Sequence, residues 1–333
     1  MSLKKIAEMV GVSPSTVSRV LNNSASSCAS PALKEQIWEA ANRIHYIPDA
    51  NARNLKTGKQ SSVPNYKIAV ILARYSFLDT DPFFRELFQS IEEALFSYSC
   101  VLHSIENAED TNFSLLKEAD GIIILGRCKE PFLNKLTKYS RNIVGIGRNP
   151  TNYKMDEVIC DGKAAAIKAM EYLLSLGHQK IGYIGDCSSE SRYVGYCETL
   201  INRSIPMNYN YIFSTDQTCE SGYHAMQKLL EQDISAVFCA NDISALGALK
   251  ALSESDSQTT RKNRKISVIA IDNIAASQTS SPLLTTVNIP KEDMGKIAVT
   301  ILLDRIKHKH SEYLRVEFPC KIIERDSCYV SAK

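Results

Sequence analysis

The sequence predicts an α/β protein with a small helical unit at its N-terminus and a larger body of two doubly wound α/β subdomains. Within residues 1–60, apolar residues recur at helical spacing. From Tyr66 onward, apolar and β-branched runs such as KIAVILA, GIIILG, AVFCAND and ISVIAID alternate with helical segments. Continuous apolar strands are typical of parallel sheets that are buried on both faces. The runs are too many for one compact sheet, which indicates two.

Composition excludes several classes of protein. A chain of 333 residues with 44% hydrophobic and 23% charged residues is neither disordered nor collagen-like. It contains no run of 18 apolar residues and its first residues, MSLKKIAEMVGV, lack an apolar signal core, so we expect neither a membrane span nor secretion. The ten cysteines include no C-x-x-C pair, so we expect no zinc site or redox dithiol, and a cytoplasmic location.

The formal net charge of +2 is unevenly distributed. Residues 1–60 carry eight basic and four acidic side chains, whereas the remainder carries 31 basic and 33 acidic ones. A basic N-terminal unit on a slightly acidic body favours a partner that is a polyanion. A basic face that only contacts solvent has the same pattern, so this alternative stays open.

The N-terminal unit has the spacing of a helix-turn-helix. Gly11 ends a first helix, Ser13 is suited to cap the next one, and Pro14 is suited to its first turn. A third helix, PALKEQIWEAANRIHY, stops at Pro48, and a short fourth segment spans about 49–58 before the linker KQSSVPN. The apolar stripes of the three helices are Ile6, Ala7 and Val10; Val17, Val20 and Leu21; and Leu33, Ile37, Ala41 and Ile44. The second helix could enter a major groove, where Arg19 can bind guanine, although a plain three-helix bundle fits the same spacing.

In the body, helices are predicted over DPFFRELFQSIEEALFSY, GKAAAIKAMEYLLSLG, ESGYHAMQKLLEQ and DISALGALKALSE. Gly177 stands where the second of these needs a C-cap. A last helix follows Pro290, with its apolar stripe at Met294, Ile297, Ala298, Ile301 and Leu302.

Polar residues at strand ends are candidates for ligand binding, because ligands of open α/β sheets bind at the carboxyl ends of the strands. These residues are Asp161, Asn241, Asp242 and Asp272. Asp161 could equally cap the helix that follows it, and for Asp242 we favour the capping role. No G-x-S-x-G, phosphate loop, H-E-x-x-H or catalytic triad spacing is visible, so we expect no enzyme, no catalytic residue, no cofactor and no metal site.

The segment LKKIAEMVGVSPSTVSRVLN resembles the DNA-binding signature of the LacI/GalR family of bacterial transcription regulators. IWEAANRIHYIPDANARNLKTGKQ resembles that family's third helix and hinge helix, and the body follows in family order with LLSLGHQKIGYIGD, SRYVGY and SPLLTTVNIPKEDMGKIAVTILLDRI. The resemblance implies a helix-turn-helix DNA-binding domain over 1–59 and a periplasmic-binding-protein-like effector domain over 60–333. The latter would divide into an N-subdomain (about 66–161 and 290–315) and a C-subdomain (about 162–289 and 316–330).

The resemblance also implies roles for individual residues. Base edges would be met by Pro14, Ser15 and Arg19, and phosphates by Thr16 and Ser18. In the hinge helix, Leu55 would wedge between base steps with Ala52 and Arg53 beside it, or Leu55 would simply anchor the hinge to the body. The effector site would comprise Asp81, Phe83, Arg148, Asp161, Arg192, Asn241 and Asp272.

One departure concerns Gly147, which stands where the family often has Asp, and it leaves open whether Arg148 faces the cleft. Phe83 or its neighbour Phe84 could stack on a sugar, and at least one of them is expected in the core. The function implied is a homodimeric repressor of a carbohydrate-utilisation operon on palindromic operator DNA, released by a small sugar-like effector, with galactose or a galactoside favoured. The alternatives are a regulator whose ligand strengthens DNA binding, and a solute-binding protein.

Overall fold

The computed structural model describes residues 3–21, 29–43, 65–73, 77–148, 150–188, 190–258 and 265–331. The chain divides into two compact units, residues 1–64 and 65–333. We call them the head unit and the body unit and describe each by itself.

The head unit contains three described helices, α1 (Leu3–Val10), α2 (Pro14–Leu21) and α3 (Pro31–Arg43). The turn between α1 and α2 has the predicted chemistry, because Gly11 adopts a φ of 70° and the Thr16 N–H donates to Ser13 Oγ at 3.2 Å. The helices enclose a small core of Ile6, Ala7, Val17, Val20, Leu21, Ile37, Ala40 and Ala41. The predicted stripes of α1 and α2 are therefore confirmed, while Ile44 and Pro48 lie outside the described residues.

The described part of the body unit contains two six-stranded sheets. The first has the order β11-β5-β4-β3-β1-β2, and neighbouring strands in it pair in parallel. Its strands are β1 (Lys67–Leu72), β2 (Val101–Asn107), β3 (Gly121–Leu125), β4 (Ile143–Gly147), β5 (Asp156–Ile159) and β11 (Arg315–Glu317). Every residue of β3 and β5 is buried, as expected of strands that are covered on both faces.

The second sheet has the order β12-β10-β9-β8-β6-β7. It is parallel except for β12, which runs antiparallel to β10. Its strands are β6 (Ile181–Gly185), β7 (Ile212–Ser214), β8 (Ala236–Cys239), β9 (Ser267–Asp272), β10 (Thr285–Asn288) and β12 (Lys321–Ile323). The predicted architecture of two doubly wound α/β subdomains is confirmed.

The described helices of the body are α4 (Phe77–Thr80), α5 (Pro82–Ser97), α6 (Phe113–Leu116), α7 (Glu130–Leu136), α8 (Gly162–Ser175), α9 (Ser191–Asn202), α10 (Cys219–Leu229), α11 (Asp242–Gln258) and α12 (Lys291–Ile306). Gly177 follows α8 with a φ of 89°, which confirms the predicted C-cap. On α12, Met294, Ala298, Ile301 and Leu302 are buried and Ile297 is half-buried, so the predicted stripe faces the core.

The chain passes between the two sheets three times. The first crossover joins β5 to α8 at Cys160 and Asp161, the second joins β10 to α12 through Ile289 and Pro290, and the third joins β11 to β12 at residues 318–320. One hydrophobic cluster contains buried residues of both sheets. The crossovers therefore lie where the two sheets share a core.

Among the described residues, no helix is both long and apolar enough to cross a bilayer. The same residues include no group of three or more His, Cys, Asp or Glu side chains that could hold a metal ion.

Candidate functional site

An ion pair joins the two sheets at the carboxyl ends of their strands. Asp272 is the last residue of β9 and its side chain is 1% exposed. Arg148 directly follows β4 in the other sheet, and its Nη2 lies 3.0 Å from Asp272 Oδ2. Arg148 therefore faces the junction between the sheets, which the departure at Gly147 had left open.

Phe83 and Asp81 lie at the start of α5, next to this ion pair. The Asp81 carboxylate accepts the Phe83 N–H at 3.0 Å and so caps the helix. The Arg148 guanidinium lies over the Phe83 ring, 4.0 Å from its centroid. Both rings of the Phe83–Phe84 pair are buried and meet edge to face. Phe83 is therefore a core residue whose face is covered by Arg148.

Arg192 is held in the first turn of α9 with its side chain 2% exposed. Its guanidinium donates to the Ala240 carbonyl at 2.6 Å, to the Glu190 carboxylate at 2.6 Å and to the Gln217 side chain at 2.9 Å. Burial alone would raise the pKa of Glu190, but the charge and hydrogen bonds of Arg192 outweigh it and lower this pKa to about 2. Glu190 and Gln217, which the sequence analysis missed, thus fix the orientation of Arg192.

Asn241 takes the capping role that the sequence suggests for Asp242. Asn241 Oδ1 accepts the Ser244 N–H at 3.0 Å and caps α11, and its amide donates to the Gln217 carbonyl at 3.0 Å. The capping role favoured for Asp242 is therefore wrong. Its carboxylate instead accepts the Ile274 N–H at 2.9 Å and the Thr286 hydroxyl, because these donors reach it from the neighbouring strand ends.

Asp161 caps α8, since its carboxylate accepts the Lys163 N–H at 2.8 Å. The next residue, Gly162, donates its N–H to the Arg148 carbonyl at 2.8 Å. The capping alternative for Asp161 is therefore correct, and one of its carboxylate oxygens is used by the helix. The bond between Gly162 and Arg148 brings Asp161 near the ion pair.

The carboxyl groups here are buried at an energetic cost. Desolvation raises the pKa of Asp272 to about 6, although Arg148 and Arg192 act in the opposite direction. Desolvation and the charge of Asp272 raise the pKa of Asp242 to about 7. The negative charge of Asp81 also raises the pKa of Asp272, so the Asp81 carboxyl group belongs to the same electrostatic site.

Three buried polar atoms at this junction have no hydrogen-bond partner among the residues that the structure describes. They are Asp272 Oδ1, Arg148 Nε and Arg192 Nε. Buried polar atoms are nearly always satisfied in folded proteins, and exceptions require an explanation. One acceptor and two donors at one place can be satisfied together by a polar ligand. We call Arg148, Arg192, Asn241 and Asp272, with Asp81 and Phe83, the intersheet site.

Lys291 and Glu86 form a second link between the sheets that sequence reasoning missed. Lys291 is 8% exposed, and its ammonium donates to the Asn273 carbonyl at 3.1 Å and pairs with Glu86 Oε2 at 3.2 Å. The other Glu86 oxygen accepts the Ala275 N–H at 3.0 Å. A cavity of about 430 Å³ borders these side chains, on residues different from those of the intersheet site. In the sequence, Lys291 showed only the pattern of a helix start.

The candidate DNA-binding surface lies on α2 of the head unit. Pro14, Ser15 and Arg19 are exposed and Thr16 is half-buried. The Ser13 hydroxyl lies 2.7 Å from that of Ser15 and 2.9 Å from that of Thr16, so these hydroxyls form a small network at the start of α2. The side chain of Ser18, all of Ala52, Arg53 and Leu55, and the predicted hinge helix lie outside the described residues.

Comparison with known proteins assigns both units. Residues 2–49 match the family "Bacterial regulatory proteins, lacI family", and residues 170–328 match "Periplasmic binding protein-like domain". Among curated relatives, the transcriptional repressor PurR of Photorhabdus laumondii is 32% identical over 98% of this chain and 96% of its own length. PurR of a Salmonella paratyphi B strain is 31% identical with the same coverage.

Solved structures agree. A complex of the transcriptional regulator CelR with cellobiose has a TM-score of 0.69 and 24% identity, and the match covers 98% of this chain and all of that one. A LacI family regulator from Enterococcus faecium with bound ribose has a TM-score of 0.69 and 26% identity, over 80% of this chain and all of that one. With repressors as relatives along almost its whole length, the chain belongs to the LacI family of bacterial transcription regulators, which bind operator DNA and small effector molecules.

Proposed function

We propose that this protein is a homodimeric repressor that binds palindromic operator DNA through its head units and is released by a sugar-like ligand bound at the intersheet site. The observation that carries the proposal is the set of three unpartnered buried atoms on Arg148, Arg192 and Asp272. Members of this family bind small effector molecules, and the body unit matches a periplasmic binding protein-like domain. These findings support the junction between its two sheets as the effector site.

The chemistry of the site favours a ligand with several hydroxyl groups. A hydroxyl both donates and accepts, so neighbouring hydroxyls can satisfy Asp272 Oδ1 and the two guanidinium Nε–H groups together. A flat heterocycle gains most from stacking on an exposed aromatic face, whereas the Phe83 face is covered by Arg148. Relatives of known structure hold cellobiose and ribose. We therefore propose the carbohydrate class, of which galactose and galactosides are members.

The proposed mechanism uses the ion pair between the sheets. A ligand that binds Asp272 and Arg148 replaces part of their direct contact, so it favours a different relation between the two sheets. A ligand shifts a conformational equilibrium only by its differential affinity for the two states, and allosteric couplings are typically ~1–3 kcal/mol. The change would separate the two hinge segments of the dimer, with Ala52, Arg53 and Leu55 leaving the minor groove.

The domain boundaries belong to the same proposal. A DNA-binding domain over 1–59 precedes an effector domain over 60–333, which divides into segments 66–161 with 290–315 and 162–289 with 316–330. Sheet membership supports this division except at its last boundary: β11 (Arg315–Glu317) belongs to the first sheet, which favours a boundary near 317 instead of 315, and β12 belongs to the second sheet.

The ligand is tested by a thermal-shift screen of the full chain with ribose, cellobiose, galactose and sugar phosphates, alongside purine bases as planar ligands. Binding to the folded state alone raises its stability by about 2.7 kcal/mol at a concentration 100-fold above Kd. We expect a sugar to raise Tm in the natural protein but not in Asp272→Asn. The matched control is Asp233→Asn, at an exposed carboxylate. A shift with a purine base alone would contradict the carbohydrate class.

Operator binding is tested by selecting duplexes from a random library with the full chain and then measuring affinity with and without the ligand. We expect the ligand to lower operator affinity, and a rise would favour the alternative in which the ligand strengthens DNA binding. In the head unit, Arg19→Ala should reduce the preference for the selected duplex by roughly 1–3 kcal/mol. An equal loss on every duplex would make Arg19 a phosphate contact.

A further inference from the structure

Two of the three crossovers run side by side and each carries a cysteine. Cys160 directly follows β5, and Cys320 directly precedes β12. Their chain segments are joined by strand pairing, because Glu317 pairs with Ile159 and the Phe318 N–H donates to the Ile159 carbonyl at 2.8 Å. The first and third crossovers are therefore neighbours at the sheet junction, although 160 residues separate the two cysteines in sequence.

The two thiols lie in the same buried cluster of the core. Cys160 is fully buried and Cys320 is 6% exposed, and the two side chains come within reach of each other, so that each shifts the pKa of the other. The Lys168 ammonium donates to the Cys320 carbonyl at 3.0 Å and so brings a positive charge to this pair. The hydrogen bond from Cys160, aided by the charge of Lys168, lowers the pKa of Cys320 below its usual value despite burial, while the pKa of Cys160 is raised.

Other described cysteines differ from this pair. Burial raises the pKa of Cys128 and Cys328 to about 12. Cys187 and Cys197 lie near each other on the second subdomain, but desolvation raises the pKa of both thiols. Since the thiolate is the reactive form of cysteine, Cys320 combines two features that favour oxidation, a stabilised thiolate and a second thiol in contact. Its side chain is only 6% exposed, so the oxidant must be as small as hydrogen peroxide to reach it.

We propose that Cys160 and Cys320 form a reversible disulfide under peroxide, which links the first and third crossovers. The Cys320 thiolate attacks one oxygen of hydrogen peroxide, the O–O bond breaks, and the products are a Cys320 sulfenic acid and hydroxide. The Cys160 sulfur then attacks the Cys320 sulfur. The S–O bond of the sulfenic acid breaks, and its hydroxyl leaves as water after taking the proton of the Cys160 thiol. Two thiols and one peroxide thus give one disulfide and two waters, with two electrons passed to the peroxide.

The expected consequence is mechanical. A covalent link between two of the three connections restricts any rotation of one sheet against the other. It also closes a very long loop, which reduces the conformational freedom of the unfolded chain. The oxidised protein should therefore resist urea more than the reduced protein, whatever ligand the intersheet site binds.

The test treats the reduced full chain with equimolar hydrogen peroxide, blocks free thiols with iodoacetamide, and maps the digested peptides by mass spectrometry. We expect one linked pair of peptides, carrying Cys160 and Cys320, that separates on reduction with dithiothreitol. The natural protein alone thus supplies a decisive readout. A Cys187–Cys197 link formed first, or overoxidised thiols without any link, would overturn the proposal.

Variants identify the attacking sulfur. Cys160→Ser should leave a Cys320 sulfenic acid that dimedone traps, whereas Cys320→Ser should leave Cys160 unmodified. The matched control is Cys239→Ser, at a buried cysteine of β8, which should keep the link. Oxidation should raise the urea midpoint of the natural protein and of Cys239→Ser but not of Cys160→Ser. Equal rises in all three would assign the effect to another residue and reject the proposal.

Discussion

Replacement of Arg148 by Met should destabilise the body unit in a pH-dependent way. The folded-state pKa of Asp272 is about 6, against 3.8 for the free group. At pH 7.5 its ionised form is therefore more stable than its protonated form by about 2 kcal/mol in the folded protein. Without Arg148, the carboxylate at 3.0 Å loses its main counterion and takes up a proton instead.

Proton uptake sets the limit of this loss. Breaking a buried ion pair can cost roughly 3–5 kcal/mol. Asp272 can avoid this cost by binding a proton, and the loss then cannot exceed the free-energy difference between the ionised and the protonated folded protein. We therefore expect a loss of at most about 2 kcal/mol at pH 7.5. Asp242 ionises more easily beside a neutral Asp272, since their charges repel, and this makes the figure an upper bound. Met keeps the apolar contact with Phe83.

The sign of the pH dependence follows from the raised pKa. In the natural protein, Asp272 makes stability fall as pH rises from about 4 to 6, and it has no further effect above that, because it is then ionised in both states. In Arg148→Met the fall continues above pH 6. The contribution of Asp272 to the free energy of unfolding should therefore be nearly equal in the two proteins at pH 5.5. At pH 7.5 it should be less favourable in Arg148→Met.

Urea unfolding of the body unit, followed by near-ultraviolet circular dichroism at both pH values, measures this difference. The matched control is Arg203→Met, which removes the exposed ion pair with Glu171 and should change stability equally at the two pH values. A loss in Arg148→Met that is the same at pH 5.5 and 7.5, or that is absent at pH 7.5, would refute the reasoning.

Three further predictions concern packing, protonation and capping. Gly222→Ala should lower Tm and reduce the free energy of unfolding by roughly 1–3 kcal/mol or more, because a Cβ there would lie 2.2 Å from the Ser244 backbone oxygen. An unchanged Tm would contradict this prediction. Burial lowers the pKa of His178, so the natural protein should lose stability relative to His178→Gln as pH falls below about 6.5; parallel pH profiles would exclude this. Ser13→Ala should destabilise the head unit by about 1 kcal/mol in helix melting by circular dichroism, whereas Ser13→Thr should retain most of the capping bond to the Thr16 N–H.

The central part of the fold could be predicted because its signals are local. Apolar runs predicted the longer strands, and Ser13 and Gly177 act at the helix ends that they flank. The three-residue edge strands β7, β11 and β12 were missed, because such short segments carry no apolar run. The capping of α11 by Asn241 instead of Asp242 shows the limit of such signals. Both side chains can cap a helix, and the choice depends on Thr286, 44 residues away in sequence, which gives Asp242 another partner.

The candidate site could be predicted as a set of residues but not as a set of contacts. Family resemblance selected Arg148 and Asp272, yet their direct pairing depends on how two separate sheets meet. Lys291 carried no signal, because a lysine after a proline is ordinary at a helix start. Its burial arises from Glu86 on α5, a helix that is far away in sequence but packs against α12 in the same subdomain.

The threefold passage of the chain between the sheets has a consequence during translation. The first sheet lacks its edge strand until Arg315–Glu317 has left the ribosome, and the second lacks Lys321–Ile323. Neither half can therefore be completed while the nascent chain is short, and the exposed edge of β5 is open to pairing with other chains meanwhile. A ribosome that stalls before residue 315 leaves two unfinished halves, so a stop codon placed just before that position should yield aggregated product.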